Sequence, residues 1–235
     1  MQLVQAENDT STGAHVPYKE IIGSLMYVAT ATQPDIAFAV SALAQFAQDP
    51  ARPHWEAAKC VIRYLKGTRH LELIYGATNT GIFRYTDADH ASQYHQHSIL
   101  GYAFLINGGV VSWSSKKQSI VALSMTEVEY VAATHAAKEA LWLCSFLGEI
   151  TRPLSLPIML NCDNQSTIAL SKDSQFHART KHIDLHFHFI CETMSNGIIA
   201  ITYCPTQIMV ADILTKLLNH GKTGEHAGSL GLLPP

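Results

Sequence analysis

The chain has 235 residues, enough for one large or two small domains. Its 16 Lys and Arg residues against 19 Asp and Glu residues give a formal net charge of −3. This charge excludes a protein that binds nucleic acid through bulk positive charge, but it is compatible with a local basic patch. The 47% hydrophobic content excludes a disordered chain, and five cysteines without CxxC spacing argue against a disulfide framework or a zinc ribbon.

The first third of the sequence predicts a polar leader and then a group of helices. Residues 1–17 are polar and read as a flexible leader. Three apolar stripes with helical spacing follow within residues 18–75, separated by Gln33-Pro34 and Asp49-Pro50. We expect a small helical subdomain with no clustered chemistry of its own.

The pattern changes to strands near residue 70 and then alternates with helices. Runs of strand length or strand alternation predict strands, and a Gly108-Gly109 turn joins two of them. The predicted strands are Leu71–Tyr75, Ile82–Asp87, Ile99–Ile106, Val110–Ser114, Pro157–Asp163 and Ile198–Tyr203. The predicted helices are Leu123–Gly148, Gln165–Ser171, Ile183–Ser195 and Met209–Leu218. This order predicts an α/β domain over residues 80–220, with a mixed sheet and helices on its faces, followed by a flexible tail at 221–235.

Four acidic residues stand at positions where acids are costly. Asp87 and Asp163 end apolar strands, and Asp212 lies in the first turn of the last predicted helix. Each of these three, taken alone, is more often a cap or a turn residue than a catalytic one. Glu129 continues the apolar stripe of the long helix, whereas Glu127 points to the other side and suits a charge at the helix N-terminus.

Four carboxylates in one place would repel one another unless cations neutralised them. Sites made only of oxygen suit Mg²⁺ or Mn²⁺, and two such ions stabilise the attacking and leaving oxygens in phosphoryl transfer. The four acids therefore point to metal-dependent cleavage of a phosphodiester, although spacing along the chain does not establish that they meet in space.

Six motifs in this order resemble the ribonuclease H domain of copia-type LTR-retrotransposon Pol polyproteins. They are Tyr85-Thr86-Asp87-Ala88-Asp89, Val111-Ser112-Trp113-Ser114-Ser115-Lys116-Lys117-Gln118, Thr126-Glu127-Val128-Glu129-Tyr130, Cys162-Asp163-Asn164-Gln165-Ser166, Arg179-Thr180-Lys181-His182-Ile183-Asp184 and Ala211-Asp212-Ile213-Leu214-Thr215-Lys216. Upstream, Ile22-Gly23-Ser24-Leu25-Met26-Tyr27 and Arg63-Tyr64-Leu65-Lys66-Gly67-Thr68 resemble the end of the adjoining reverse transcriptase. The helical part at 18–75 would then be a thumb or connection remnant.

The resemblance implies a ribonuclease H-like fold, a five-stranded mixed sheet whose first three strands are antiparallel. It implies hydrolysis of the RNA strand of RNA/DNA hybrids during reverse transcription. Carried over by motif, Asp87, Glu129, Asp163 and Asp212 are both the catalytic residues and the ligands of two Mg²⁺ ions, for which Mn²⁺ can substitute. The implied partners are the hybrid and the reverse transcriptase domain of the same polyprotein, in a cytoplasmic virus-like particle or in the nucleus.

Binding of the hybrid requires contacts to phosphate. Arg179, Lys181 and His182 are the first candidates, although an ordinary solvated loop explains them equally well. Lys117, Asn164 and Gln165 complete the predicted substrate-binding set. We expect the useful positive charge to be confined to short loops.

Several departures from the family pattern leave an alternative function open. His90 replaces the usual Trp, and His97-Ser98-Ile99-Leu100-Gly101 lacks a basic residue and two hydroxyls. The alternative is a catalytically dead or domesticated remnant that binds nucleic acid or protein. A zinc hydrolase built on His182, His186 and His188 is a third, weaker interpretation. No apolar run approaches the ~20 residues needed to span a bilayer, and the oligomeric state stays open.

Overall fold

The first part of the chain folds into three helices that pack on one another. They are α1 (Tyr18–Ala31), α2 (Ala37–Ala44) and α3 (Arg52–Thr68), and a 3₁₀ turn (Pro34–Ile36) leads into α2. Their apolar stripes meet in a core that includes Tyr18, Ile22, Leu43 and Ala58. The computed structural model describes residues 17–76, 82–89, 98–118, 125–150, 156–172 and 184–235. Residues 1–16 of the predicted leader lie outside this part of the chain.

A five-stranded mixed sheet forms the centre of the molecule. Its strands are β2 (Ile82–Asp89), β3 (Ile99–Ile106), β4 (Gly109–Lys117), β5 (Ile158–Cys162) and β6 (Ile199–Tyr203), in the spatial order β4-β3-β2-β5-β6. The first three strands are antiparallel, while β2 pairs parallel with β5 and β5 parallel with β6. The predicted ribonuclease H-like α/β sheet is therefore confirmed.

Helices cover both faces of this sheet. The long α4 (Met125–Ile150) and α6 (Asp184–Ser195) share one core with β5 and β6, and α5 (Gln165–Lys172) follows β5. The small side chains of α4 at Ala133, Ala136, Ala137 and Ala140 are almost fully buried, which lets the helix lie close to the strands. No helix in the described part of the chain is long and apolar enough to cross a bilayer.

The hairpin between β3 and β4 turns one residue earlier than predicted. Asn107 and Gly108 form the turn with φ values of 51° and 85°. Positive φ at both central residues is the pattern of a type I′ turn, for which Asn-Gly is strongly preferred. Gly109 instead begins β4.

The end of the chain is folded, so the predicted flexible tail at 221–235 is wrong for the structure. A helix, α7 (His220–Ser229), and a short strand, β7 (Leu232–Leu233), follow the sheet, and β7 pairs antiparallel with β1 (Glu72–Leu73). Burial of Ala227, Leu230 and Leu232 against the sheet explains the order. The abundance of Gly and polar residues in this segment concealed these three apolar positions.

The predicted helix at Met209–Leu218 is shorter than expected. The chain makes two 3₁₀ turns there, Thr206–Ile208 and Val210–Leu214. The second turn packs between β3 and α7, where it buries Val210, Ile213 and Leu214. Packing on both sides fixes its position. This position matters because the turn contains Asp212.

Candidate active site

Asp87 lies near the end of β2, at the centre of the sheet. The residue is 2% exposed, and Thr215 Oγ1 donates a hydrogen bond of 2.5 Å to its Oδ2. Its partner in β3 is Gly101. A Cβ at Gly101 would lie 2.7 Å from Thr215 Cγ2 and 2.9 Å from Leu214 Cβ. The missing side chain thus lets the turn that ends in Thr215 approach Asp87.

Glu129 projects from the second turn of α4 toward the same strand. It is 3% exposed, and it accepts a hydrogen bond from the backbone N–H of Ala88. Its Oε2 is buried without a hydrogen-bond partner among the described residues. Glu127 lies in the first turn as predicted but is also buried, at 8% exposure, so it is not a solvated charge.

Asp163 follows directly after β5, the neighbour of β2 in the sheet. It is half-buried, and Thr206 Oγ1 donates a hydrogen bond of 2.7 Å to its Oδ2. Carboxylate oxygens of Glu129 and Asp163 and the Sγ of Cys162 lie within 4.8 Å of one another. Asp163, at the end of the parallel strand β5, therefore lies next to the carboxylate of Glu129 on α4.

Asp212 approaches from the opposite face of the sheet, in the 3₁₀ turn packed on β3. It is 2% exposed, and its Oδ1 lies 2.8 Å from Lys216 Nζ. The same Nζ lies 3.9 Å from Asp87 Oδ2. Lys216 is therefore a cation shared between two of the predicted carboxylates.

The carboxylates affect one another's ionisation. Burial raises the pKa of Asp87 to about 7, with Asp212 and Asp163 adding to the rise while Lys216 and Thr215 oppose it. Burial, followed by the charges of Asp87 and Asp163, raises the pKa of Glu129 to about 9. The negative charge of the four carboxylates thus exceeds what Lys216 compensates, and protons occupy part of the site at neutral pH.

This donor set fits a divalent metal ion of the hard type. Carboxylate oxygens are the ligands that Mg²⁺ and Mn²⁺ prefer, and the unpartnered Oε2 of Glu129 is a buried acceptor that a cation would satisfy. Burial strongly raises the pKa of the Cys162 thiol, so this neighbour stays protonated and is a poor ligand for such an ion. Asp87, Glu129, Asp163 and Asp212 are the residues that would hold the metal.

Four residues next to the carboxylates were not identified from the sequence. Thr215 and Lys216 come three and four residues after Asp212, so helical spacing could have placed them on the side of Asp212. Thr206 lies in the loop before Asp212, and only the fold brings it to Asp163. Gly101 likewise becomes recognisable only through its strand pairing with Asp87.

The predicted substrate-binding residues lie in different parts of the chain and do not form one described group. Asn164 Oδ1 accepts a hydrogen bond of 3.0 Å from the backbone N–H of Thr167 and so caps α5, while Gln165 is exposed beside it. Lys117 ends β4 and donates a hydrogen bond of 3.1 Å to Gln45. The remaining three candidates, Arg179, Lys181 and His182, lie outside the described residues.

The histidines give no support to a zinc site. Among the described residues, the only group of three or more His, Cys, Asp or Glu side chains within ligand distance is that of Glu129, Cys162 and Asp163. His186 instead lies near His135, with ring centroids 6.4 Å apart. His182 lies outside the described part of the chain.

Comparison with known proteins finds transposon polyproteins. The chain is 44% identical over 210 residues to the retrovirus-related Pol polyprotein from transposon TNT 1-94 of Nicotiana tabacum, matching 89% of this chain and 16% of that protein. It is 37% identical over 222 residues to the polyprotein from transposon RE2 of Arabidopsis thaliana, matching 93% of this chain and 15% of that protein. The chain thus spans about one sixth of the length of these relatives. No protein-family model matches the chain.

A shorter relative comes from Plasmopara viticola. The secreted RxLR effector protein 161 is 47% identical over 131 residues, which are 55% of this chain and 92% of that protein. Among solved structures, LC11-RNase H1 in complex with RNA/DNA hybrid is similar at 15% identity and a TM-score of 0.43, covering 57% of this chain and 94% of that one. The assignment of the ribonuclease H-like fold rests on the strand order and directions described above.

Proposed function

Since this chain belongs to the retrovirus-related Pol polyproteins of transposons and has a ribonuclease H-like fold, we propose that it hydrolyses the RNA strand of RNA/DNA hybrids. The observation that carries the proposal is the convergence of Asp87, Glu129, Asp163 and Asp212, from four separate elements, around a buried acceptor oxygen. A structural cap explains one such carboxylate but does not explain four that lie together, two of which, Asp87 and Glu129, have pKa values raised by burial and by the charges of neighbouring carboxylates.

Two divalent ions at this site would activate a water and neutralise charge on the scissile phosphate. The residues of the chain orient the ligands for that chemistry. Thr215 holds Oδ2 of Asp87, Thr206 holds Oδ2 of Asp163, and the N–H of Ala88 holds Glu129. Each carboxylate keeps a further lone pair for a cation, and Lys216 balances charge on the side of Asp212.

The wider assignment follows the same family relationship. The helical part at residues 18–75 would be the end of the reverse transcriptase, and the ribonuclease H domain would take up the remainder, now including α7 and β7. The partners would be the hybrid and the reverse transcriptase of a copia-type polyprotein. The protein would act in the cytoplasmic particle of the transposon or in the nucleus.

Replacement of Asp163 by Asn tests the assignment. Asp163→Asn removes a metal ligand with almost no change in volume, so we expect RNA cleavage to fall by at least 10²-fold while the fold stays intact. A labelled RNA/DNA hybrid with Mg²⁺ measures cleavage, and circular dichroism checks the fold. The matched control is Glu192→Gln on the exposed side of α6, which should cleave like wild type.

The alternative function is that of a catalytically inactive binding module. The replaced residues around His97–Gly101 and the similarity to a protein named as a secreted effector favour it. A folded wild-type chain that leaves the hybrid intact in Mg²⁺ and in Mn²⁺ would contradict the nuclease and support this alternative. Full cleavage by Asp163→Asn would refute the site assignment instead.

A further inference from the structure

One helix concentrates the positive charge of this acidic protein. Five of the 16 Lys and Arg residues lie in residues 52–69, where Glu56 is the only acid. The rest of the chain consequently has 11 basic against 18 acidic residues. This segment is the helix α3 and its C-cap, so this charge does not lie in the short loops to which the sequence assigned the useful positive charge.

The basic residues of α3 share its solvent face. Helical periodicity of 3.6 places Arg52, Lys59, Arg63 and Lys66 within one narrow stripe. The buried residues of the helix, His54, Ala58 and Val61, lie on the other side. The side chain of Lys59 is 41% exposed, and Arg52, Arg63 and Lys66 are exposed. We call these four cations the α3 stripe; it extends over about 21 Å at 1.5 Å per residue.

The stripe is poorly neutralised by the protein itself. Glu56 forms an ion pair with Lys59 at 2.6 Å, and its pKa is lowered by that contact and by the charges of Arg52 and Arg63. For Arg52, Arg63 and Lys66, the described residues offer no acidic group within 4.0 Å. A solvated helix face normally alternates both signs of charge, so this imbalance needs another explanation.

The first turn of α3 is connected by contacts to the end of the sheet at which Asp87 lies. Asp87 of β2 pairs with Gly101 of β3, which pairs with Ser115 of β4. Lys117 follows Ser115 by two residues along β4. Lys117 contacts Gln45 at the end of α2. The next residue, Phe46, stacks on His54 in the first turn of α3, with ring centroids 3.8 Å apart. A series of contacts therefore connects the site with the start of α3.

We propose that the α3 stripe binds the phosphate backbone of the RNA/DNA hybrid whose RNA strand is held at the carboxylates, an inference that rests on the proposed function. The stripe is long enough to face about six phosphates of one strand. Phosphate contacts of this type fix position without reading sequence, as expected for an enzyme that acts on any hybrid. The rest of the protein is acidic and repels the phosphate backbone of the hybrid, which favours binding at the α3 stripe.

The salt dependence of hybrid binding tests the proposal. Lys59→Gln, Arg63→Gln and Lys66→Gln are combined in the Asp163→Asn background, so that binding is measured without cleavage. We expect the slope of log affinity against log salt to fall by roughly two to three, and affinity at 0.1 M salt to fall roughly 10- to 100-fold. The control combines Lys19→Gln, Lys138→Gln and Lys222→Gln, which removes three exposed charges elsewhere and should change affinity less than about 3-fold.

The proposal would be overturned if the slope of log affinity against log salt were equal for the stripe variant and the control. It would also be overturned if the stripe variant lost binding to anionic lipid vesicles while its binding to the hybrid was unchanged. Cleavage by the full chain separates this inference from the proposed function. If wild type cleaves and the stripe variant binds normally, the nuclease stands and the stripe assignment fails. If wild type does not cleave but the stripe variant loses hybrid affinity as expected, the binding surface stands without the nuclease.

Discussion

Buried carboxyl groups at Asp87 and Glu129 couple the stability of the protein to protons and metal ions. Their pKa values, about 7 and about 9, exceed the ordinary values of 3.8 and 4.5 that the unfolded chain retains. The folded protein thus holds more protons than the unfolded chain between these limits. Its free energy of unfolding without metal must therefore fall as pH rises through this window.

We expect this loss to be measurable as a difference between wild type and Asp87→Asn in EDTA. From about pH 4 to pH 7, the stability of wild type should fall relative to the variant by up to about 1.4 kcal/mol per pH unit, because Asn cannot ionise. Thermal unfolding at several pH values measures this. In wild type, Mn²⁺ should raise Tm more at pH 8 than at pH 5, since the ion replaces protons. A Tm response to Mn²⁺ that does not depend on pH would contradict this coupling.

At the level of elements, the site depends on how closely the 3₁₀ turn Val210–Leu214 approaches β3. Gly101 provides that approach, since a Cβ there would lie 2.7 Å from Thr215 Cγ2. The hydrogen bond from Thr215 to Asp87 and the ion pair between Lys216 and Asp212 both depend on the position of this turn. Packing at one glycine therefore controls the distance between carboxylates on two elements.

Gly101→Ala should displace the turn and weaken the metal site. We expect a loss of about 1–3 kcal/mol in the free energy of unfolding from overpacking, together with weaker Mn²⁺ binding. Denaturant unfolding and Mn²⁺ titration by electron paramagnetic resonance measure the two effects. Gly224→Ala is the matched control, because its added Cβ meets nothing within 4 Å and the helix gains propensity. Unchanged Mn²⁺ affinity in Gly101→Ala would mean that the turn does not set the carboxylate geometry.

Across the whole molecule, the last residues connect the helical part, the sheet and the site. β7 pairs with β1, which follows α3, and Leu230 and Leu232 pack with Val210, Ile213 and Leu214 beside Asp212. Trp113 of β4 donates a hydrogen bond of 2.9 Å to the carbonyl of Ala29 in α1. The C-terminal segment thus belongs to the same core as the site.

Leu230→Ala tests the importance of this segment. Leu230 is fully buried, so its truncation should lower the free energy of unfolding by about 2–5 kcal/mol, as for other buried leucines. Leu233→Ala, at a side chain that is 43% exposed, should cost less than about 1 kcal/mol. Urea unfolding compares the two variants with wild type. Equal effects would show that the segment contributes little to the core.

Local patterns in the chain were sufficient for most of the secondary structure and for the burial of Glu129 on the inner side of α4. Apolar stripes with a period of 3.6 and strands of alternating residues reflect burial that each element needs separately, so they can be read without the fold. The ribonuclease H-like sheet was implied instead by the resemblance of the ordered motifs to a known family, because periodicity alone indicates only a mixed sheet with helices on its faces. These signals failed at the C-terminus, where the few apolar residues are too widely spaced to form a stripe.

The tertiary structure alone decided which groups meet. Asp87 and Asp212 are 125 residues apart, and their shared contact with Lys216 depends on strand pairing and on the space left at Gly101. The pKa values of the carboxylates are properties of burial and of neighbouring charge, neither of which is a local property of the sequence. The −3 net charge of the chain likewise does not reveal the basic face of α3. A net charge contains no information on where side chains lie, and the four cations come to one side only when the helix forms.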